Sequence, residues 1–440
     1  MKYVIIGGDA AGMSAAMQIV HNDPQSEITV LEKGTIYSYG QCGLPYVVGG
    51  LIESTNDVIA RTVESFRSKY GIDARTLHEA TAVDSSSRTV SGTNHETGQP
   101  FTVSYDRLLI ATGASPVLPT WKGAASQMVH VLKTIPDTNR LIADLEQEHV
   151  KEVVIIGAGY IGLETAENIH RLGKRIRIIQ RGSHIASMFD ADLSERLHQE
   201  AERHGVLLTL NEEVEAIGKG RITTNQNSYP ADLIVASVGV RPNTAFLKKT
   251  GMNMLQNGAI LVNDRLETSI PGIYAAGDCA SHFHLVKQKP DYIPLGTTAN
   301  KQGRIAGLNM AGKSRSFKGV TGTSVMKFFN LIAASTGLTE QQAREENISF
   351  KTSTIQAKDK AGYYPDAAPL HVKILYAPES RRLLGGQAIG ENGAEKRIDV
   401  LAAALFNQMT VDELEDLDLS YSPPVNGVWD PIQQAARRAT

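Results

Sequence analysis

"KEVVIIGAGYIGLETAENI" (151–169) runs from an apolar segment through a glycine turn into a helical pattern. A similar stretch, "KYVIIGGDAAGMSAAMQI", occupies residues 2–19. A second apolar run follows each of them, "RIRIIQR" (175–181) in one case and "EITVLEK" (27–33) in the other. Runs rich in valine and isoleucine favour strands, and small residues let a helix start close to the preceding turn. The sequence therefore predicts two β-turn-α-β units in one chain.

The glycine turns indicate that each unit binds a dinucleotide. Backbone N–H groups at a helix N-terminus must approach a pyrophosphate closely, and a Cβ atom would obstruct that approach. The first turn has Asp9 at the middle position, so it departs from the general pattern. The glycines at the expected positions are Gly7 and Gly12 in the first turn and Gly157, Gly159 and Gly162 in the second.

The residue that ends the second strand of each unit differs between the two units. In the first unit it is Glu32, a carboxylate placed to accept hydrogen bonds from ribose hydroxyls. In the second unit it is Gln180, followed by Arg181. A carboxylate repels a 2′-phosphate, whereas an amide beside a guanidinium tolerates one. The second nucleotide is therefore predicted to be NADPH or NADH.

Composition limits the class of protein. The 44 Lys and Arg residues nearly balance the 47 Asp and Glu residues, which argues against a nucleic-acid partner. A chain of 440 residues exceeds the roughly 250–300 at which single cores stop growing, so we expect two or three domains. No leader pattern and no apolar run of about 18 residues is apparent, so we expect a cytoplasmic protein without a membrane partner.

The stretch "YSYGQCGLPY" (37–46) contains Cys42, one of only two cysteines. The other, Cys279, follows a glycine and an aspartate in "AAGDCA" (275–280), where a small buried residue is the simplest interpretation. Two cysteines this far apart have no metal-site spacing, and we predict no metal and a reduced thiol. If Cys42 is redox-active, its sulfur partner must come from elsewhere.

Two closing motifs complete the pattern: "YDRLLIATGASP" (105–116) and "ADLIVASVGVRPNT" (231–244). Together with the glycine turns and "AAGDCA", they resemble the pyridine nucleotide–disulfide oxidoreductase family over the whole chain. The resemblance implies an α/β fold with two Rossmann-like nucleotide-binding domains and a C-terminal α+β dimerisation domain. It places an FAD domain at 1–118 and 250–324, an NAD(P)H domain at 119–249 and the dimerisation domain at 325–440.

The resemblance also implies residue roles. Tyr160 would cover the flavin until nicotinamide displaces it, with Glu164 nearby, and Asp278 would bond the ribityl chain. The predicted FAD contacts are Gly7, Gly12, Glu32, Lys33, Thr112, Gly113, Lys133, Gly277 and Asp278. The predicted NAD(P)H contacts are Gly157, Gly159, Tyr160, Gly162, Glu164, Gln180 and Arg181.

The lone Cys42 resembles the single-cysteine branch of that family, because Val47 stands where dithiol members have a second cysteine. This branch includes coenzyme A-disulfide reductases, persulfide reductases, hypothiocyanous acid reductases, and NADH oxidases and peroxidases. The likeness makes Tyr363 and Tyr421 catalytic residues supplied by the partner subunit of a homodimer. It assigns Ser38, Lys69, Asn300 and Arg304 to the substrate.

These features predict an FAD-dependent NAD(P)H oxidoreductase in which Cys42 reduces a small sulfur oxidant. That oxidant is coenzyme A disulfide, another low-molecular-weight disulfide or hypothiocyanous acid. Because Cys42 precedes a helix start, its thiol pKa is expected to be lowered. The alternatives are a persulfide or polysulfide reductase, an NADH oxidase and, more remotely, a non-catalytic redox-sensing flavoprotein.

Overall fold

The first β-turn-α-β unit forms as predicted, and its two strands pair in parallel with Val4 opposite Thr29. The computed structural model describes residues 1–439. Strands of the first part of the chain are β1 (Lys2–Ile6), β2 (Glu27–Leu31), β3 (Asp73–Arg75), β4 (His78–Asp84), β5 (Thr89–Asn94), β6 (Pro100–Ser104), β7 (Arg107–Ile110) and β8 (Ala114–Pro116). Its helices are α1 (Ala10–Asn22), α2 (Leu44–Val48) and α3 (Val63–Tyr70).

The second unit repeats this arrangement, with Val154 opposite Arg177 in a parallel pair. Its strands are β9 (Val129–His130), β10 (Glu152–Ile156), β11 (Arg175–Gln180), β12 (Leu207–Leu210), β13 (Val214–Gly218), β14 (Arg221–Thr224), β15 (Ser228–Pro230), β16 (Leu233–Ala236) and β17 (Val240–Pro242). Its helices are α4 (Ile135–Leu145), α5 (Tyr160–His170) and α6 (Ala191–Arg203).

The chain then returns to the first sheet. β18 (Ile273–Ala275) pairs in parallel with β7, and β19 (His282–His284), β20 (Lys289–Asp291) and α7 (Gly296–Met310) follow. The first sheet has the order β18-β7-β1-β2-β3, and the second has the matching order β9-β16-β10-β11-β12. Each also carries a three-stranded antiparallel sheet, β4-β5-β6 or β13-β14-β15. A first domain made of two segments agrees with this topology, while its boundaries at 118 and 250 stay a prediction.

The last part of the chain is an antiparallel sheet covered by helices. Its order is β21-β22-β25-β24-β23, and α9 and α11 pack on the sheet. The strands are β21 (Ser324–Phe328), β22 (Leu331–Gly337), β23 (Lys351–Lys358), β24 (Pro369–Tyr376) and β25 (Leu383–Gly390). The helices are α8 (Glu340–Glu345), α9 (Ala394–Phe406), α10 (Val411–Glu415) and α11 (Pro431–Arg437). The predicted fold class, with two Rossmann-like domains and a C-terminal α+β domain, is confirmed.

One hydrophobic core joins the second nucleotide domain to its neighbours. Leu44 and Val48 of α2 pack in the same buried cluster as Leu163 of α5 and Phe328 of β21. α2 follows Cys42 directly in the chain. The segment that carries the cysteine is therefore fixed by apolar burial against a second domain.

Buried acids add hydrogen bonds between the second nucleotide domain and the C-terminal sheet. Glu167 of α5 accepts from the backbone N–H of Phe329 at 2.9 Å and from Lys327 Nζ at 3.1 Å. Glu200 of α6 accepts from the N–H of Asn330 at 3.0 Å. Because charged acceptors form the stronger hydrogen bonds, these contacts hold α5 and α6 in fixed positions on the β21-β22 turn.

A buried lysine forms a second link between the same two domains. The Lys373 side chain is 3% exposed and lies 3.1 Å from Asp190 and 3.0 Å from Asp192, and it also pairs with Glu340. Asp190 exchanges two hydrogen bonds with Gln387 of β25, each 2.8 Å long. Three carboxylates around one ammonium compensate the desolvation of the lysine, so loss of that charge would remove the ammonium that pairs with the buried Asp190.

The Lys373→Met variant should therefore lower the free energy of unfolding by about 3–5 kcal/mol, because it removes the ammonium beside the buried Asp190 carboxylate. Urea unfolding followed by circular dichroism measures the change. Arg344→Met is the matched control, since Arg344 also pairs with Glu340 but is 64% exposed, and its cost should stay below about 1 kcal/mol. Equal costs for the two variants would contradict the role given to Lys373.

Among residues 1–439, none of the helices has the length and apolarity needed to cross a membrane.

Candidate active site

The two glycine turns have the same geometry. A Cβ on Gly12 would lie 1.9 Å from the carbonyl oxygen of Gly7, and one on Gly162 would lie 2.1 Å from that of Gly157. These contacts let α1 and α5 start directly against the strand turns. Neither helix has a side chain capping its first turn. A Cβ on Gly159 would meet no atom within 4 Å, so open space adjoins the free N–H groups of α5.

The residues at the strand ends are structurally equivalent, as the sequence predicts. Glu32 accepts from the N–H of Gly8 at 2.9 Å, and Gln180 accepts from the N–H of Ala158 at 3.3 Å. Lys33 is exposed. Arg181 is 82% exposed and lies 4.0 Å from Glu213, an exposed acid for which the sequence carries no motif. The choice between NADH and NADPH stays a prediction.

Thr112 and Gly113, which are predicted FAD contacts, lie against the second closing motif. The Thr112 hydroxyl donates to the carbonyl oxygen of Asn243 at 2.8 Å, and Asn243 Nδ2 donates to that of Thr112 at 3.0 Å. β8 and β17 also pair as an antiparallel ribbon. Asn243 therefore connects the two nucleotide domains, a role that its place in "VRPNT" does not reveal.

Lys133 and Asp278 come together although they are far apart in the chain. Lys133 Nζ lies 3.2 Å from Asp278 Oδ2, and both side chains are mostly buried. The buried Gln302 of α7 accepts from the N–H of Gly277 at 2.9 Å, which fixes the turn before Asp278. Gln302 was not singled out in the sequence, because a glutamine inside a helical pattern carries no specific signal.

These features fit FAD in the first domain and a nicotinamide nucleotide in the second. The uncapped starts of α1 and α5 leave N–H donors for a pyrophosphate. Glu32 and Gln180 lie where a ribose would be recognised, and the Lys133–Asp278 pair supplies polar groups farther along the first site. The individual contacts with either cofactor stay predictions.

Cys42 lies at the start of one helix and beside the start of another. It is part of the 3-10 turn Gln41–Gly43 that leads into α2. A Cβ on Gly296, the first residue of α7, would lie 4.0 Å from Cys42 Sγ. α7 also lacks a side-chain cap. The start of α7, with its free N–H groups, therefore lies beside the sulfur, a contact that no sequence motif indicates.

The thiol pKa departs from the sequence-based expectation. Burial raises the pKa of Cys42, the Glu164 carboxylate raises it further, and the Lys133 ammonium lowers it in part. The prediction of a lowered pKa is therefore wrong for this chain. The residue itself is solvent-accessible, but desolvation by neighbouring atoms and the acid outweigh the favourable position at the helix start.

Glu164 is the acid with the largest effect on the pKa of Cys42. Tyr46 is its hydrogen-bond partner. The Tyr46 hydroxyl donates to Glu164 Oε1 at 3.3 Å. Burial raises the pKa of Glu164 to about 7, although the Tyr46 hydrogen bond opposes the shift and Glu167 adds to it. Burial and Glu164 in turn raise the pKa of Tyr46, which stays protonated. Glu164 therefore changes charge near neutral pH beside the thiol.

Two of the predicted substrate residues share one face of α7. Asn300 and Arg304 follow Gly296 at intervals of four residues and are exposed. Asn300 accepts from the Ser14 hydroxyl of α1 at 2.9 Å. Because Gly296 adjoins Cys42, this face of α7 runs from the sulfur toward solvent.

The other two predicted substrate residues, Ser38 and Lys69, lie near the loop that carries Cys42. Ser38 has a φ of 46°, and its carbonyl oxygen accepts from the N–H groups of Ala60 at 2.8 Å and Arg61 at 3.4 Å. Lys69 Nζ and Arg61 Cζ lie 5.7 and 5.6 Å from the ring centroid of Tyr70. Arg61 was missed in the sequence, where it precedes α3 without a motif. Together with Lys69 it gives this region two positive charges.

Tyr363 and Tyr421 lie together on the C-terminal domain. Their hydroxyls are 3.1 Å apart, and their side chains are 77% and 46% exposed. Val428 and Trp429 are exposed on the same domain. An exposed aromatic pair on a domain of this kind suits contact with a second subunit.

Asp9, the residue that breaks the first glycine pattern, is bonded to the cysteine loop. Its carboxylate accepts from Gln41 Nε2 at 2.7 Å and from the N–H of Tyr39 at 3.2 Å. Burial raises its pKa, and these hydrogen bonds oppose the shift. The sequence flagged Asp9 as a departure but gave no reason for it. The structure shows that its side chain holds the backbone just before Cys42.

Two dinucleotide sites, one thiol beside them and an α+β domain define a flavin- and nicotinamide-dependent oxidoreductase. Residues 1–303 match the family model for pyridine nucleotide-disulphide oxidoreductases, and residues 323–431 match the dimerisation domain of the same family. The chain belongs to this family, so it is an FAD-dependent NAD(P)H disulfide oxidoreductase with a C-terminal dimerisation domain.

Three relatives illustrate the range of activities. The chain is 33% identical to coenzyme A disulfide reductase of Staphylococcus aureus (strain Newman) over 440 residues, covering 100% of this chain and 99% of the relative. A NAD-dependent persulfide reductase from A. fulgidus superposes with a TM-score of 0.97 at 36% identity, covering 99% and 82% of the two chains. A water-forming NADH oxidase from Lactobacillus brevis gives 0.96 at 29%, covering 100% and 98%.

The Glu164→Gln variant should lower the pKa of Cys42, because it removes the carboxylate that disfavours the thiolate. Iodoacetamide alkylation of the reduced holoenzyme should be about threefold to tenfold faster at pH 8, equivalent to roughly half to one pKa unit. Since the Glu164 pKa is about 7, the native carboxyl is mostly neutral below that pH. The gain should therefore be small at pH 6, grow through pH 7 and then level off.

Glu213→Gln serves as the control for this experiment, because it removes an exposed carboxylate beside Arg181 in the same domain. Its alkylation profile should match that of the unmodified protein. A Glu164→Gln profile without any gain, or with the same gain at every pH, would contradict the electrostatic role of Glu164.

Proposed function

We propose that the enzyme reduces a small sulfur oxidant and that Cys42 is its single redox thiol. The observation that carries the proposal is the contrast between the two cysteines. Cys42 is exposed beside the start of α7, whereas Cys279 is fully buried and donates its thiol hydrogen to the carbonyl oxygens of Ile110 and Ala276. An internal dithiol would require Cys279 to leave the core. The second sulfur therefore comes from the substrate.

In the proposed reaction the Cys42 thiolate attacks one sulfur of a disulfide, R–S–S–R. A bond forms between Cys42 Sγ and that sulfur, the S–S bond breaks, and R–S⁻ leaves. Glu32 and the Lys133–Asp278 pair would hold FAD, and the bound flavin would supply the two electrons of NAD(P)H for reduction of the mixed disulfide. These electrons return Cys42 as the thiolate and release the second R–S⁻. With hypothiocyanous acid the same attack forms a bond from Cys42 Sγ to the thiocyanate sulfur, the S–O bond breaks, and hydroxide leaves and takes up a proton to become water. Two electrons then break the new S–S bond and release thiocyanate and the Cys42 thiolate.

Residues of the chain adjust protonation and access in this cycle. Free N–H groups at the start of α7 stabilise negative charge on Cys42, and Glu164 opposes it when ionised. The exposed Tyr363 and Tyr421 hydroxyls would complete the site of a partner subunit in a homodimer and protonate the leaving thiolate there. Tyr160 covers the nicotinamide site until the nucleotide binds.

Coenzyme A disulfide is the leading substrate. Support comes from the Staphylococcus aureus relative, from the exposed face formed by Asn300 and Arg304, and from the Arg61 and Lys69 cations near the cysteine loop. Hypothiocyanous acid is the second candidate, because α1 presents His21 and Asn22 rather than further cations for a phosphorylated ligand. Its small size requires no such contacts.

The Cys42→Ser variant should lose turnover of every sulfur oxidant by at least about a thousandfold, because a hydroxyl at this position is not a competent nucleophile. Anaerobic stopped-flow measurements with NADH and NADPH would compare coenzyme A disulfide, a polysulfide, hypothiocyanous acid and oxygen. Retained turnover of a sulfur oxidant would overturn the one-thiol mechanism. Oxygen as the only efficient oxidant would instead indicate an NADH oxidase.

Removal of the Arg61 and Lys69 charges should distinguish the two leading substrates. The double variant Arg61→Met and Lys69→Met should raise KM for coenzyme A disulfide about tenfold, because exposed cations contribute charge-assisted bonds to phosphates. KM for hypothiocyanous acid should not change. Lys249→Met, which removes an exposed lysine elsewhere, is the control and should alter neither KM. An equal effect on both substrates would contradict the phosphate role.

A further inference from the structure

Tyr160 is bonded to the dimerisation domain, although it belongs to the second nucleotide domain. Its hydroxyl forms a hydrogen bond with Ser324 Oγ of β21. Ser324 Oγ lies 3.2 Å from Ser335 Oγ of β22, and the two serines are directly opposite each other in the antiparallel pair. The tyrosine ring is thus held at its far end by a cross-strand pair of serine hydroxyls.

The helix that carries Tyr160 cannot easily move to free the ring. Glu167, on the same helix α5, accepts from the N–H of Phe329 and from Lys327 Nζ. Leu163 of α5 and Phe328 of β21 also share one buried cluster. Because α5 is fixed to the β21-β22 turn, Tyr160 has to move by rotation of its own side chain.

The residues next to Tyr160 in the chain border the nucleotide cleft. Gly159, which precedes it, faces open space. Ile161, which follows it, is 39% exposed, and Val238 after β16 is 37% exposed. Apolar side chains exposed at the carboxyl ends of the strands suit contact with a nicotinamide nucleotide. Rotation of the ring would therefore open this cleft at the expense of the serine bond.

We propose that Ser324, with Ser335 behind it, is a positioning residue that holds Tyr160 in its closed orientation and thereby weakens nicotinamide nucleotide binding. This inference rests on the proposed function, in which Tyr160 covers the nicotinamide site. The nucleotide must break the Tyr160–Ser324 hydrogen bond, so part of its binding free energy is used to release the ring. The dimerisation domain thus sets the affinity of the other domain for NAD(P)H.

The test is the dissociation constant of NAD⁺ for the holoenzyme, read from the change in flavin absorbance on titration. NAD⁺ does not reduce the flavin, so the readout is independent of turnover and of Cys42. The Ser324→Ala variant should bind NAD⁺ about twofold to tenfold more tightly, the range expected for loss of one hydrogen bond in the closed form. Steady-state assays should show a lower KM for NAD(P)H with little change in kcat.

A double-mutant cycle separates this role from a general packing effect. Tyr160→Phe removes the same hydrogen bond from the other side, so it should give a similar gain in affinity, and adding Ser324→Ala to it should give no more. Ser324→Thr, which keeps a hydroxyl, should restore the original dissociation constant. Thr323→Val is the control, because Thr323 bonds Thr321 and Thr336 in the same sheet region and should leave NAD⁺ binding unchanged.

Three outcomes would overturn the proposal: unchanged NAD⁺ affinity in Ser324→Ala, a gain that persists in the Tyr160→Phe background, or an equal gain in Thr323→Val. Failure of the proposed function would look different. In that case Cys42→Ser would keep its turnover of sulfur oxidants, whatever the serine variants do to the NAD⁺ titration.

Discussion

The contact between a helix start and the turn before it is the constraint on which both nucleotide domains depend. Gly12 and Gly162 lie so close to the preceding carbonyl oxygens that a Cβ would approach within 1.9 and 2.1 Å. A side chain at either position would push the helix off its strand and close the space beside its N–H groups. Glu32 and Gln180 accept hydrogen bonds from N–H groups of these same turns, so the close packing also places the two residues that end the second strands.

The reactivity of Cys42 is a balance of opposing effects rather than the result of one. Burial and the Glu164 carboxylate raise its pKa, and Lys133 lowers it in part. The start of α7 beside the sulfur favours the thiolate. A thiol with a higher pKa is a poorer leaving group and a stronger nucleophile once ionised.

Much of the fold was predictable because strong local patterns coincide with the nucleotide units. The two glycine turns, the closing motifs and the lone Cys42 are sequence signals with direct structural causes. Contacts between distant segments gave no such signal: Gly296 beside Cys42, Asn243 at Thr112, Gln302 at Gly277 and Arg61 beside Lys69 depend on tertiary packing. The thiol pKa was wrongly predicted for the same reason, since the desolvation and the Glu164 charge come from segments far along the chain.

The C-terminal domain contributes residues to both the proposed nicotinamide site and the proposed thiol site. Within one chain it bonds Tyr160 through Ser324 and holds α5 through the Glu167 contacts. It also carries the exposed Tyr363 and Tyr421 pair, which the proposed mechanism assigns to a partner subunit. The Ser324–Tyr160 contact and the exposed tyrosine pair both belong to this domain, which contains one antiparallel sheet. Strands β21 and β22 face the nucleotide domain, and the two tyrosines lie in loops beyond β23 and α10. In the proposed mechanism, movement of this sheet would therefore alter nucleotide entry in its own subunit and thiol protonation in the partner subunit.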